Sequence, residues 1–243
     1  AWTMAALSII GQLDPVVAAN GEGFVIAFND DSVAGGQLML TFYSIAGSPT
    51  GTMRSFTYNG LPARVVFGDG ALGRLAGEIE RWGAKSVLVI STPHQKDDGN
   101  ALVAKLSAYG ARLYSNATMH TPVNVTDDAM RLVKEAGVDL LVALGGGSTI
   151  GLAKAIALRT DLPQIAIPTT YAGSEMTPIL GETKDGLKTT QRSMKILPEV
   201  VIYDVDLTMT LPAGLSGTSG INAIAHSVEA LYAEDNNPII SLM

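Results

Sequence analysis

The sequence lacks cysteine altogether and has few charged residues, and each shortage excludes a class of protein. Without cysteine there are no disulfides, no thiolate metal sites and no cysteine nucleophile. Charged residues make up only 16% of the 243, and the formal net charge is −7, so no basic surface for nucleic acid is expected. No apolar run approaches the roughly 20 residues that a membrane helix needs, and residues 1–10 lack the basic segment of a signal peptide. We therefore expect a soluble, cytoplasmic protein with no nucleic-acid or membrane partner.

The chain divides near residue 53. Residues 1–52 contain two β-type runs, VVAANGEGFVIAFNDD and GGQLMLTFYSIAGSPTG, joined by turn-forming residues. This stretch resembles one unit of the β-repeats of bacterial surface and secreted proteins, and a single such unit cannot bury its apolar face. We expect residues 1–52 to be an unrelated extension outside the functional domain.

From Met53 onward, short apolar runs alternate with segments that have apolar residues at three- and four-residue spacing. Such alternation predicts an α/β fold, a doubly wound parallel sheet covered by helices on both faces. Ligands of this fold bind at the carboxyl ends of the strands. The third helix is expected to begin with Thr126 as its N-terminal cap. The strand candidates are ARVVF, SVLVI, ARLYS, DLLVALG, QIAIP and EVVIYD. The helix candidates are LGRLAGEIERWG, GNALVAKLSAYG, TDDAMRLVKEAG and STIGLAKAIALR.

The strongest local motif is DLLVALGGGSTIGLAKA, in which a buried strand leads through Gly145, Gly146, Gly147 and Ser148 into a helix. Glycines allow backbone N–H groups to approach a pyrophosphate, and the helix N-terminus adds unpaired donors and a positive dipole end. The motif is not G-x-G-x-x-G, and a tight turn that needs positive φ explains a glycine triplet equally well. The flanking strand and helix favour phosphate binding.

A second cluster, PTTYAGSE, follows the next strand and supplies hydroxyl groups at the same edge of the sheet. Thr169, Thr170 and Ser174 are placed to reach the ribose or phosphates of a nucleotide. The alternative is a solvated loop whose hydroxyls cap neighbouring backbone groups.

These motifs together resemble the iron-containing alcohol dehydrogenase superfamily. The resemblance rests on GGGS, on AK six residues after that serine, and on P-T-T-x-x-x-S-E. Two further segments support it, the run from Lys188 through LPEVVIYDVDLTMTLP and the helix SGTSGINAIAHSVEALYA, which resembles the family's metal-ligand helix. It extends from about Phe56 to Met243.

Two departures point to one branch of the superfamily. Metal-dependent members usually carry Asp four residues before the histidine of that helix, where this chain has Asn222 before His226. A neutral amide is a poor ligand for a dication, although Asn222 is also explained as a surface residue. The usual Asp of GGGS-x-x-D is Gly151 here. With GLPARVVFG and PTTYAGSEMTPILGET, these changes resemble maleylacetate reductases, which generally work without a metal.

This resemblance implies reduction of the conjugated C=C bond of maleylacetate, a small dicarboxylate, to 3-oxoadipate in the breakdown of aromatic and chloroaromatic compounds. It implies NADH, or in some members NADPH, as cofactor and no metal. His226 is the candidate proton donor and Tyr171 a candidate donor to a substrate carboxylate, whereas His94 and His120 receive no catalytic role. For His226 and Lys188 a structural or solvated role is the alternative. The implied cofactor-binding residues are Gly145, Gly146, Gly147, Ser148, Thr169, Thr170, Ser174, Lys188, Thr92 and Thr118.

The expected domains are an NAD-binding domain over residues 53–212 and, over 213–243, the first helix of an all-helical catalytic domain. The chain as given is then expected to lack a complete active site, and the full-length protein to form a homodimer. Three competing interpretations stay open: a metal-dependent alcohol dehydrogenase, an inactive fragment, and a non-catalytic binding protein whose function lies in residues 1–52.

Overall fold

The computed structural model describes residues 58, 60, 61, 63–234 and 236–242, together with the backbone of four earlier strands. The chain forms two compact units, one of residues 1–59 with 225–243 and one of residues 60–224. The domain limits expected from the sequence, after residues 52 and 212, stay predictions.

The first unit contains a four-stranded antiparallel sheet in the order β1-β2-β3-β4. Two of these strands, β3 and β4, lie within the two β-type runs seen in the sequence, and β2 begins three residues before the first run. The strands are β1 (Thr3–Ala6), β2 (Leu13–Asn20), β3 (Gly23–Asp30) and β4 (Gln37–Phe42).

The second unit is built on a six-stranded sheet whose strand order is β5-β12-β9-β8-β6-β7, with every neighbouring pair parallel. This confirms the doubly wound α/β fold, and all six strand candidates are strands of this sheet. The strands are β5 (Arg64–Gly68), β6 (Val87–Ile90), β7 (Arg112–Tyr114), β8 (Leu140–Gly145), β9 (Gln164–Pro168) and β12 (Val200–Asp204).

Helices cover both faces of this sheet, which is why its central strands are mostly apolar, apart from the buried Gln164 at the start of β9. Along β8, Leu141 and Ala143 pack with residues of α3 and α4, whereas Leu140, Val142 and Leu144 pack with residues of α1 and α2. None of the described helices is long and apolar enough to cross a membrane. The helices are α1 (Leu75–Trp82), α2 (Lys96–Lys105), α3 (Val123–Ala136), α4 (Gly147–Thr160), α5 (Ala213–Tyr232) and α6 (Pro238–Leu242).

The start of α3 differs from the prediction. The helix begins at Val123 after an extended Pro122, so Thr126 lies inside the first turn and is not the cap. Its buried hydroxyl donates to the carbonyl oxygen of Pro122 at 3.4 Å. The polar Thr-Asp-Asp segment resembled a helix start, but the proline one turn earlier sets it.

The sequence analysis missed an antiparallel hairpin formed by β10 (Ile179–Lys184) and β11 (Leu187–Arg192). All six residues of β11 are exposed, so this strand shows no apolar alternation that would reveal it. The available signal was its turn: Asp185 and Gly186 have φ of 50° and 78°. Asp-Gly with two positive φ angles is a favoured two-residue hairpin turn.

The Asp204 carboxylate connects the carboxyl ends of β12 and β5. It is 4% exposed and accepts hydrogen bonds from the backbone N–H groups of Gly70 (3.2 Å), Leu72 (2.8 Å) and Asp206 (3.1 Å). We expect Asp204→Asn to lower the free energy of unfolding by about 1–3 kcal/mol, because an amide cannot satisfy three donors as a carboxylate does. Urea denaturation measures the change, with the exposed Asp206→Asn as control. Equal stability of the two variants would contradict this account.

Candidate functional site

A cleft of about 900 Å³ lies at the carboxyl edge of the parallel sheet, in the unit of residues 60–224. Its wall is formed by residues that follow five different strands: Leu72 after β5, Thr92 after β6, Gly146 after β8, Thr169 after β9 and Asp206 after β12. The volume lies in the range of small-molecule sites, and the position is where doubly wound sheets bind ligands.

The turn between β8 and α4 needs glycine at its first two positions for reasons internal to the fold. Gly145 has φ of 148°, and a Cβ there would lie 2.5 Å from Oγ1 of Thr149. A Cβ on Gly146 would lie 2.8 Å from Oγ1 of Thr170. The tight-turn explanation therefore accounts for both of these glycines.

Gly147 is different, because no neighbour in the described chain requires it to be glycine. Its φ is not in the positive range, and a Cβ there would find only the Cβ of Ala172 within 4 Å, at 3.8 Å. Gly147 is the first residue of α4 and lines the cleft with Ser148. The absent side chain leaves room above the helix N-terminus, where the first N–H groups have no partner within the helix. Such a site accepts an anion such as phosphate.

Hydroxyl and amide groups join neighbouring loops beside this turn. The Gln95 side chain donates from Nε2 to Oγ1 of Thr169 at 3.1 Å, and its Oε1 accepts from Oγ1 of Thr92 at 3.4 Å. Gln95 therefore links the loops after β6 and β9, and it lines the cleft itself. The sequence analysis did not select Gln95, although its position three residues after Thr92 placed it at the carboxyl edge.

A second, smaller pocket of about 320 Å³ shares Gly147 and Ser148 with the large cleft. Ser174 and the exposed Lys188, on β11, line it together with His120. The structure thus brings Lys188 and Ser174 to the helix N-terminus from the side of the hairpin, and Thr92, Thr169 and Thr170 from the side of the large cleft.

Other predicted residues lie apart from these pockets. Thr118 is exposed, donates to the carbonyl oxygen of Asn116 at 3.0 Å and lines neither the large cleft nor the small pocket. The exposed Tyr171 also lines neither the large cleft nor the small pocket. Conversely, His94 lines the large cleft and His120 the small pocket, although the sequence analysis gave neither a catalytic role.

The proposed metal-ligand positions lie on α5, where both side chains are exposed. Nδ1 of His226 lies 3.4 Å from Oε2 of Glu229, one turn further along. Asn222 offers only a neutral amide, a weak ligand for a dication. Within the described residues, no group of three or more His, Cys, Asp or Glu side chains is placed to hold a metal ion. Asn222 and His226 do not by themselves make up a metal site.

Comparisons with known proteins point to one family. The family model for iron-containing alcohol dehydrogenase matches residues 62–205. The maleylacetate reductase of Rhizobium sp. (strain MTP-10005) is 60% identical over 191 residues, which is 79% of this chain and 54% of the relative. That of Sphingobium indicum is 54% identical over 77% of this chain and 53% of the relative. A solved maleylacetate reductase from Agrobacterium tumefaciens is 57% identical with a TM-score of 0.76, covering 78% of this chain and 54% of that one. The chain spans about half the length of the curated relatives it matches.

Proposed function

This chain belongs to the iron-containing alcohol dehydrogenase family, and we propose that it carries the cofactor-binding part of an NADH-dependent maleylacetate reductase. The observation that carries this proposal is the N-terminus of α4, where Gly147 leaves space that no described neighbour fills. The similarity to maleylacetate reductases over 79% of the chain supports the choice within the family.

The proposed dinucleotide site spans the two pockets that share Gly147 and Ser148. The N–H groups at the start of α4 donate to the pyrophosphate, whose charge the positive end of the helix dipole stabilises. The large cleft, with Thr92 on one wall, takes the adenosine end. Ser174 and Lys188 take the ribose at the nicotinamide end, where the Lys188 ammonium supplies a cation beside the phosphates.

The bound NADH supplies the hydride for reduction. Hydride addition to a C=C bond conjugated with a ketone moves negative charge onto the ketone oxygen, and a hydrogen-bond donor can stabilise that charge. We assign the proton donor role to His226, since imidazole changes charge near neutral pH. Tyr171 is the proposed donor to a substrate carboxylate.

We further propose that the reaction proceeds without a metal. Charge delocalised over an enolate needs less Lewis-acid help than the localised charge on the oxygen of a simple aldehyde or alcohol. Asn222, in place of a usual Asp at a metal-ligand position, supports the proposal because a carboxylate is a better ligand for a dication than an amide is. Gly151 supports it only through the resemblance to maleylacetate reductases. The acceptance of NADPH and a homodimeric state belong to the same proposal.

The test is oxidation of NADH by a protein that continues this sequence to the full length of its relatives. With maleylacetate and excess chelator, we expect turnover that equals the rate without chelator. Residues 1–243 alone should bind NADH yet show no turnover above background, because they match only about half the length of the maleylacetate reductases. Oxidation that appears only after zinc or iron is added would move the protein to the metal-dependent alcohol dehydrogenases. Full turnover by residues 1–243 would contradict the proposal that this chain carries only the cofactor-binding part of the enzyme.

A further inference from the structure

Lys154 is the largest fully buried side chain of the described residues, and its contacts go to a single loop. The ammonium Nζ, on α4, donates to the carbonyl oxygens of Ser174, Thr177 (2.7 Å) and Ile179 (3.0 Å). Oγ1 of Thr177 lies 3.2 Å away and also accepts. Three carbonyl oxygens from six residues of chain therefore converge on one cation.

This loop, defined as residues 169–179 and including Ile179 as the first residue of β10, connects β9 with the hairpin and contributes to both pockets. Thr169 and Thr170 lie at its start and line the large cleft, and Ser174 lines the small pocket. Its internal backbone order is one short 3₁₀ turn, Ser174–Met176. The Lys154 ammonium binds three carbonyl oxygens of this loop, and the N–H of Ser193 donates to a fourth, that of Pro178, at 3.1 Å.

The cost of burying this ammonium argues for a role other than filling space. Burial lowers the pKa of Lys154 to about 8, and the charge of the buried Glu175 carboxylate opposes that shift. Oε1 of Glu175 accepts from the hydroxyl of Tyr203 at 2.8 Å, while its Oε2 has no hydrogen-bond partner among the described residues. An apolar side chain of similar volume often stabilises a core equally well. The buried charge of Lys154 is therefore better explained by the single loop conformation that its hydrogen bonds select.

We infer that Lys154 is a positioning residue, whose ammonium holds the loop of residues 169–179 in the conformation that binds the dinucleotide. It acts through its hydrogen bonds to the backbone of Ser174, Thr177 and Ile179. The Lys154 side chain also borders the small pocket, and we assign it no contact with the reacting atoms. The inference rests on the proposed function, since it assigns the loop to the NADH site.

Lys154→Met keeps the volume of the side chain and removes the cation. We expect the dissociation constant of NADH, measured by fluorescence titration of the 243-residue chain, to rise by about tenfold or more, which corresponds to ~1.4 kcal/mol. Ile156→Ala is the matched control, because Ile156 is equally buried on the same helix and packs in a hydrophobic cluster that includes no residue of the loop. Ile156→Ala should lower the denaturation midpoint but change the dissociation constant of NADH by no more than about twofold, because the cavity it leaves lies away from the site. Equal effects of the two variants on NADH affinity would show that Lys154 contributes to the stability of the fold and does not position the loop for NADH.

The absence of cysteine allows a second comparison if Lys154→Met does not fold. Lys154→Cys, alkylated in denaturant with 2-bromoethylamine and refolded, regains an ammonium at the same distance from the backbone. Alkylation with 1-bromopropane gives an uncharged side chain of the same length. Only the aminoethyl adduct should bind NADH with nearly wild-type affinity, and equal binding by the propyl adduct would overturn the inference. If the wild-type chain itself does not bind NADH, the proposed function fails and the inference fails with it.

Discussion

We expect Gly147→Ala to weaken NADH binding by about tenfold or more without lowering the free energy of unfolding. The fold has room for the new methyl group, since its nearest neighbour within 4 Å is the Cβ of Ala172 at 3.8 Å. Alanine is also a better helix former than glycine, so α4 should be as stable or slightly more stable. The methyl group would project where the pyrophosphate approaches the first N–H groups of α4. Fluorescence titration and urea denaturation of the same preparations separate the two effects.

Gly77→Ala is the matched control for this variant. Gly77 is an exposed residue of α1, and a Cβ there meets nothing described within 4 Å. The substitution should raise the free energy of unfolding by about 0.5–1 kcal/mol and leave NADH affinity unchanged. A Gly147→Ala chain that binds NADH as tightly as the wild type would show that the dinucleotide does not lie over this helix N-terminus.

Gly151→Ala, unlike Gly147→Ala, should lower the free energy of unfolding, by about 1–3 kcal/mol. A Cβ at this position of α4 would lie 2.4 Å from Oγ1 of Thr121. Thr121 is buried and has φ of 46°, and its carbonyl oxygen accepts from the N–H of Thr183 at 3.2 Å, so its backbone cannot move freely. The gain in helix propensity from alanine is smaller than this steric cost.

A double-mutant cycle tests the cause. Thr121→Ala removes the hydroxyl that faces Gly151, so in that background Gly151→Ala should cost about 1–2 kcal/mol less. Urea denaturation of the wild type, both single variants and the double variant gives the coupling. Additive effects would mean that Thr121 is not the neighbour that excludes a side chain at position 151.

This contact also explains the departure at position 151 in physical terms. The resemblance to iron-containing alcohol dehydrogenases predicts Asp there, and an aspartate has the same Cβ as alanine. With the turn at Thr121 packed against α4, no such side chain fits unless the turn moves. The sequence identified Gly151 as unusual, but only the packing shows which neighbour occupies the space.

The parallel sheet could be predicted because its strands are buried on both faces and read as apolar runs. Three of the helix candidates end in glycine, at Gly83, Gly110 and Gly137. All three glycines adopt the left-handed conformation that favours glycine at the end of a helical segment. The hairpin of β10 and β11 was missed because its second strand is solvated along its whole length. The predicted start of α3 was wrong because the polar residues from Thr126 onward resemble a helix cap, although the helix begins earlier, at Val123.

Part of the site could also be predicted, because loops that follow parallel strands meet at one edge of the sheet. Thr169 and Thr170 were selected on that basis and Thr92 from the family resemblance, and all three line the same cleft. Gln95 and Lys154 were not, because their importance depends on contacts with residues 74 and 20–25 positions away in sequence. A lysine within a helix gives no sign in the sequence that its ammonium is buried.

Hydrogen exchange of the chain with and without NADH is the most direct test of the proposed site. We predict slower exchange at the amides of residues 146–150 and 169–174, which border the two pockets, because bound phosphates and ribose accept from or cover these N–H groups. The amides of α1, which packs on the face of the sheet opposite α4, serve as the internal reference and should not change. Slower exchange confined to other segments, or none at saturating NADH, would contradict the assignment of this edge of the sheet as the cofactor site.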